Sequence, residues 1–105
     1  SGVTGIPKRL ARGLRRRLGD ELREIRLFGS RAKGTHSPTS DYDILIVLKR
    51  RESRLIDLIY SEAQELELKH GVDISFKIYG EADFRRRIDS GAPFMNEIKA
   101  SSLPL

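Results

Sequence analysis

The chain has 105 residues and no cysteine, with 20 Lys and Arg against 15 Asp and Glu for a formal charge of +5. That length is one domain's worth and buries roughly 60–70% of its unfolded surface. The absence of Cys excludes disulfides, thiolate zinc sites and a cysteine nucleophile, and no apolar run approaches the ~18–20 residues of a membrane-spanning helix.

In chain order, Thr4-Gly5-Ile6-Pro7 reads as a helix start, since proline is tolerated early in a helix where its missing N–H is not needed. Ile6, Leu10, Leu14 and Leu18 then form one apolar stripe, and Gly19 is a plausible stop. Leu22 to Phe28 alternates and predicts a short strand. Gly29 to Ser40, rich in Gly, Ser, Thr and Pro, predicts a loop with a short helix starting at Ser30. Tyr42 to Leu48 is nearly continuous apolar, as expected of a strand covered on both faces. Lys49 to Arg54 is a charged turn, and Leu55 to His70 carries Leu55, Ile59, Ala63 and Leu66 on one helical face closed by Gly71. Val72 to Tyr79 alternates cleanly as a third strand, and Gly80 breaks it. Glu81 to Ile88 and Pro93 to Ala100 are short helices. The order α-β-β-α-β-α predicts an α+β (mixed α/β) fold, a single small domain with a short mixed sheet backed by helices.

Charge is unevenly placed. Residues 1–34 hold 10 basic side chains and three acids, and a basic first third invites a nucleic-acid reading. The chemistry, however, points to the acids. Asp41 and Asp43 lie two apart at the start of the second strand, so their side chains leave one face. Asp73 shares a face of the third strand with Ser75, Lys77 and Tyr79. If these strands are neighbours, three carboxylates meet in one cluster, which needs a compensating cation. Oxygen-only ligation suits a hard cation such as Mg²⁺. Upstream, Gly29-Ser30 follows a strand and opens a helix, where free backbone N–H groups favour phosphate. Arg31 and Lys33 would add positive charge nearby. The spacing is neither a Walker A loop nor a G-x-G-x-x-G fingerprint.

Phe28-Gly29-Ser30, ten intervening residues and Asp41-Tyr42-Asp43 in an apolar frame resemble the signature of the DNA polymerase β-type nucleotidyltransferase superfamily. The segments LFGSRAKG and SDYDILIVL, with the later strand acid Asp73, look like the minimal nucleotidyltransferases of bacteria and archaea. The match is strong over Leu22 to Tyr79 and weak at APFMNEIKASS. The resemblance implies a polymerase β-like fold over residues 1–105. It also implies a HEPN-family toxin as partner, and AMP transfer from ATP to a tyrosine of that toxin, which silences it. Carried over, Gly29 and Ser30 would hold the β- and γ-phosphates. Asp41 and Asp43 would bridge two Mg²⁺ ions, and Asp73 would bind the catalytic ion and help deprotonate the incoming hydroxyl. Larger members add domains that grip nucleic acid or an antibiotic; a chain this short is expected to receive its acceptor on the core itself.

Plainer readings stand beside these. Asp41 and Asp43 would serve equally as turn or cap carboxylates if taken without the full spacing, Asp73 as a solvated strand acid, and Gly29-Ser30 as a strand-ending turn. Ser30 and His36 lack a third group to orient them as a hydrolase dyad. His70 suits a helix C-terminus, Lys77 and Tyr79 are solvated strand positions or nucleotide contacts, and Arg15-Arg16-Arg17 and Arg85-Arg86-Arg87 are solvated faces or contacts for an acidic partner. The expected function is therefore a Mg²⁺-dependent protein adenylyltransferase acting as an antitoxin in the cytoplasm. The alternatives are an antitoxin that neutralises its partner by binding alone and a small basic nucleic-acid-binding protein.

Overall fold

Elements form where the apolar spacing changes period, and the computed structural model describes residues 5–105, so Thr4 lies outside the described residues. The order is α1 (Ile6–Leu18), β1 (Leu22–Phe28), α2 (Ser30–Lys33), β2 (Tyr42–Leu48), α3 (Ser53–His70), β3 (Ile74–Gly80), α4 (Glu81–Asp89), α5 (Pro93–Ser101) and β4 (Leu103–Pro104). In α1 the stripe behaves as expected: Leu10, Leu14 and Leu18 are buried, and Ile6 packs on them partly covered. Gly19 ends the helix at φ 55°, its N–H donating to the Arg15 carbonyl.

Several element limits differ from the sequence expectation, α4 and α5 each by one residue at the C-terminal end. The α3 helix begins at Ser53, inside the charged turn, because the Glu52 carbonyl already accepts the Leu55 and Ile56 amides. β3 begins at Ile74 and runs through Gly80, so Val72 and Asp73 precede the strand and Gly80 belongs to it. β4 was not expected at all, since a two-residue strand containing proline carries no alternation to read.

The sheet order is β3-β2-β1-β4. β1 pairs antiparallel with both β2 and β4, whereas β2 and β3 are parallel, joined by α3 as the crossover helix. The sheet is therefore mixed, and the second and third strands are neighbours as the acid cluster requires. Successive side chains of β2 divide between two cores. Ile44, Ile46 and Leu48 pack with α1 and α3, while Leu45 and Val47 pack with Phe84, Met95 and Ile98 of α4 and α5. That two-sided cover is why Tyr42 to Leu48 reads as a continuous apolar run.

The exposed edge of β3 is partly blunted. The Glu67 carboxylate accepts the Ile74 N–H at 2.9 Å, and Arg51 Nε donates to the Ile78 carbonyl at 3.1 Å. At the other edge Leu105 is buried, donates its N–H to the Ile25 carbonyl and accepts Arg15 Nη2 at 2.6 Å.

Ile46 is fully buried between sheet and helices, so Ile46→Ala should cost about 2–5 kcal/mol in urea denaturation. Arg16→Ala, on the exposed face of α1, should change stability by less than about 0.5 kcal/mol.

Candidate active site

Where β1 ends, Phe28 lies in register with Asp43 of β2. The next residue, Gly29, adopts φ 74° and ψ −157°, a backbone region that essentially only glycine occupies. A second constraint is steric: a Cβ at Gly29 would collide with Asp43 Oδ2 and lie 3.2 Å from its Cγ. The Asp43 carboxylate thus rests directly on the Gly29 α-carbon. From there the chain turns into α2, and the Gly29 carbonyl accepts the Ala32 and Lys33 amides at 3.1 and 3.2 Å. Among the described residues, the Ser30 and Arg31 amides and the Ser30 hydroxyl have no hydrogen-bond partner. A carboxylate and a set of unpaired donors therefore stand side by side.

The two cations expected near the phosphates are engaged otherwise. Arg31 Nε donates to the Ser40 carbonyl at 2.9 Å and Nη2 to the Pro38 carbonyl at 3.3 Å, while the guanidinium lies 3.9 Å from the Tyr42 ring centre. It clamps the loop that leads into Asp41. Lys33 forms an ion pair with Glu97 of α5. The donors left free beside Asp43 are the amides of Ser30 and Arg31 and the Ser30 hydroxyl. The clamping role of Arg31 was hidden in the sequence, because it depends on the path of residues 34–40 and on carbonyls that every residue type supplies.

Asp41 is exposed and accepts a hydrogen bond from Ser75 Oγ at 3.2 Å. Asp43 is partly covered, and its carboxyl is pushed above the ordinary 3.8, first by burial and then by the neighbouring Asp41 charge. Parallel pairing sets Asp43 opposite Ser75 and Tyr42 opposite Ile74, so Asp73 falls one step back, on the face of Asp41 and Asp43. Its carbonyl accepts the Tyr42 N–H at 3.0 Å, and its side chain is exposed. Among the described residues no three acidic or histidine side chains converge closely enough to hold an ion. The expected three-carboxylate cluster is thus a close pair with Asp73 beside it on the same face. The sequence places Ser75 on one face with Asp73 but gives it no role; its bond to Asp41 depends on the pairing of the two strands.

The pair fits a hard divalent cation. Its donors are all oxygen, and a bound cation would offset both the burial and the Asp41 charge that push the Asp43 carboxyl upward. Ser30 and His36 make no hydrogen bond to each other among the described residues, and His36 and His70 are exposed.

The sequence profile of the nucleotidyltransferase domain family matches residues 7–93. Among solved structures, the chain is similar to a toxin–antitoxin crystallised with AMP-PNP, at 19% identity and a TM-score of 0.61, covering 95% of this chain and 72% of that one. It is also similar to a mutant form of the toxin–antitoxin MntA-HpeT, at 20% identity and a TM-score of 0.60, covering 96% of this chain and 72% of that one. These likenesses show the nucleotidyltransferase fold. No curated protein matches the chain in sequence.

Two outcomes follow from the position of Asp43. Gly29→Ala should cost about 1–3 kcal/mol of stability from backbone strain alone and, by displacing Asp43, about a hundredfold in turnover. Because folding raises the Asp43 pKa, the native state keeps this proton to higher pH than the unfolded chain. Stability through this group therefore falls as pH climbs from 3.8 to the raised value and is level above it. Asp43→Asn should accordingly melt higher than wild type at pH 7 in EDTA, and calorimetry should show Mg²⁺ raising the melting temperature of wild type only.

Proposed function

We propose, because the chain belongs to the nucleotidyltransferase domain family, that it transfers AMP from ATP to a tyrosine hydroxyl of a HEPN-type toxin and acts as the antitoxin of that pair in the cytoplasm. The carrying observation is the Asp41–Asp43 pair seated against Gly29, next to the unpaired donors of Ser30 and Arg31. The toxin as partner is supported by the likeness to toxin–antitoxin proteins, one of them crystallised with AMP-PNP.

In this reading the backbone amides at the start of α2 and the Ser30 hydroxyl hold the β- and γ-phosphates. Asp41 and Asp43 would hold Mg²⁺, which would supply charge neutralisation at the phosphates and polarisation of the leaving group. Ser75 fixes the Asp41 carboxylate, and Arg31 fixes the loop that delivers it. The acceptor oxygen forms a bond to the α-phosphorus as the bond from that phosphorus to the bridging α–β oxygen breaks. Pyrophosphate leaves, and the hydroxyl proton passes to Asp73, on the same face. Catalysis is positioning plus charge stabilisation, so loss of either paired carboxylate should be severe.

The test is incubation with ATP labelled at the α-phosphate, Mg²⁺ and the product of the adjacent gene. Label should reach the partner, and Asp41→Asn with Asp43→Asn should lower transfer by at least about a thousandfold. Undiminished transfer would overturn the metal assignment. Full neutralisation of the partner by the double variant would favour the binding-only antitoxin, and steep loss of polynucleotide affinity with salt would favour the nucleic-acid reading.

A further inference from the structure

On the face that carries Asp41 and Asp43, the sheet does not end at the acids. One same-face step along β3 from Ser75 comes Lys77, opposite Leu45, and then Tyr79, opposite Val47. Each step is about 6.6 Å along the strand. There α4 and α5 leave a pocket of about 390 Å³ lined by Lys77, Tyr79, Arg87, Ala92, Phe94 and Met95. Phe94 stacks edge-on against Phe28 at 5.4 Å, and Phe28 is the register partner of Asp43, which ties the pocket wall to the acid pair.

The pocket has two chemical halves. Tyr79, Phe94 and Met95 offer aromatic and apolar surface. Lys77 is exposed and pairs with no carboxylate among the described residues, whereas Arg87 is held by Asp83 at 3.0 Å and lies 5.4 Å from the Tyr79 ring centre. A free ammonium beside an aromatic slot suits a ligand with an acidic group next to an aromatic side chain.

Position decides which reactant this is. In an in-line displacement the attacking and leaving oxygens lie on opposite sides of phosphorus. Gly29 and Ser30 stand on the β1 side of Asp43, so pyrophosphate leaves there and the hydroxyl enters from the β3 side. We infer that the pocket between β3 and the α4–α5 pair docks the acceptor protein through an acidic peptide segment, with an aromatic side chain against Tyr79 and Phe94 and a carboxylate on Lys77. This rests on the proposed nucleotidyl transfer and assigns the acceptor side of the same site.

The experiment is an NMR titration of the isotopically labelled full chain with two probes. One is Mg²⁺ with a non-hydrolysable ATP analogue; the other is the peptide Glu-Asp-Tyr-Asp-Glu, blocked at both ends. The peptide should move the Lys77, Tyr79 and Phe94 amides, and Lys77→Glu should weaken its binding at least tenfold while Phe94→Ala also weakens it. The nucleotide should move Gly29, Ser30 and Asp43 instead. The inference is overturned if the pocket amides respond to the nucleotide rather than the peptide. Equal binding of a Lys-rich tyrosine peptide, or no peptide binding at millimolar concentration, overturns it too. A nucleotide that leaves Gly29 and Ser30 unmoved overturns the transfer reading instead, so the two failures are distinguishable.

Discussion

The contact on which the rest depends is that between the Asp43 carboxylate and the Gly29 α-carbon. It fixes the relation between the strand carrying the acids and the helix start carrying the anion donors, and it leaves no room for a side chain. Antiparallel pairing of β1 with β2 brings the two residues together, with Phe28 opposite Asp43. The parallel pairing of β2 with β3 then sets Ser75 and Asp73 on the other flank. One strand, β2, thus carries the acid pair, while its two neighbours bring the unpaired donors that follow β1 and the Ser75 and Asp73 flank.

That arrangement places like charges close together in a partly covered position, and the folded chain bears the electrostatic cost. Burial and Asp41 both act against ionisation of Asp43. The strain is tolerated because the remainder of β2 is deeply packed. Ile44 through Leu48 are all buried, alternating between the α1–α3 core and the α4–α5 core. A strand clamped on both faces can carry an unfavourable pair at its open end.

Much of this was legible in the sequence. The apolar period fixed β1 and β2 to the residue, because a strand covered on both faces and a glycine break leave strong signals. The G-S spacing to Asp41 and Asp43 marked the family that the profile match shows. Less legible were the partners of long side chains. Arg31 and Lys33 directly follow Gly29-Ser30 in sequence, yet Arg31 clamps the loop into Asp41 through backbone carbonyls and Lys33 meets Glu97 across the fold. The strand limits of β3 shifted because Val72 and Asp73 alternate like strand residues before pairing begins. The tail strand β4 is held by Leu105 and Arg15, contacts with no local pattern.

The sequence by itself determined which residue types are present at chemically meaningful spacing: a glycine and serine after a strand, two acids sharing a face, and a third acid beside a later strand. These are local properties, set by backbone period and by the steric freedom of glycine. Only the tertiary structure decided that Gly29 and Asp43 touch, that Ser75 holds Asp41, that Asp73 falls on the face of the acid pair, and that Lys77 lines an aromatic pocket. Those facts depend on strand order and register, which are chosen by the packing of whole faces against helices far away in the chain.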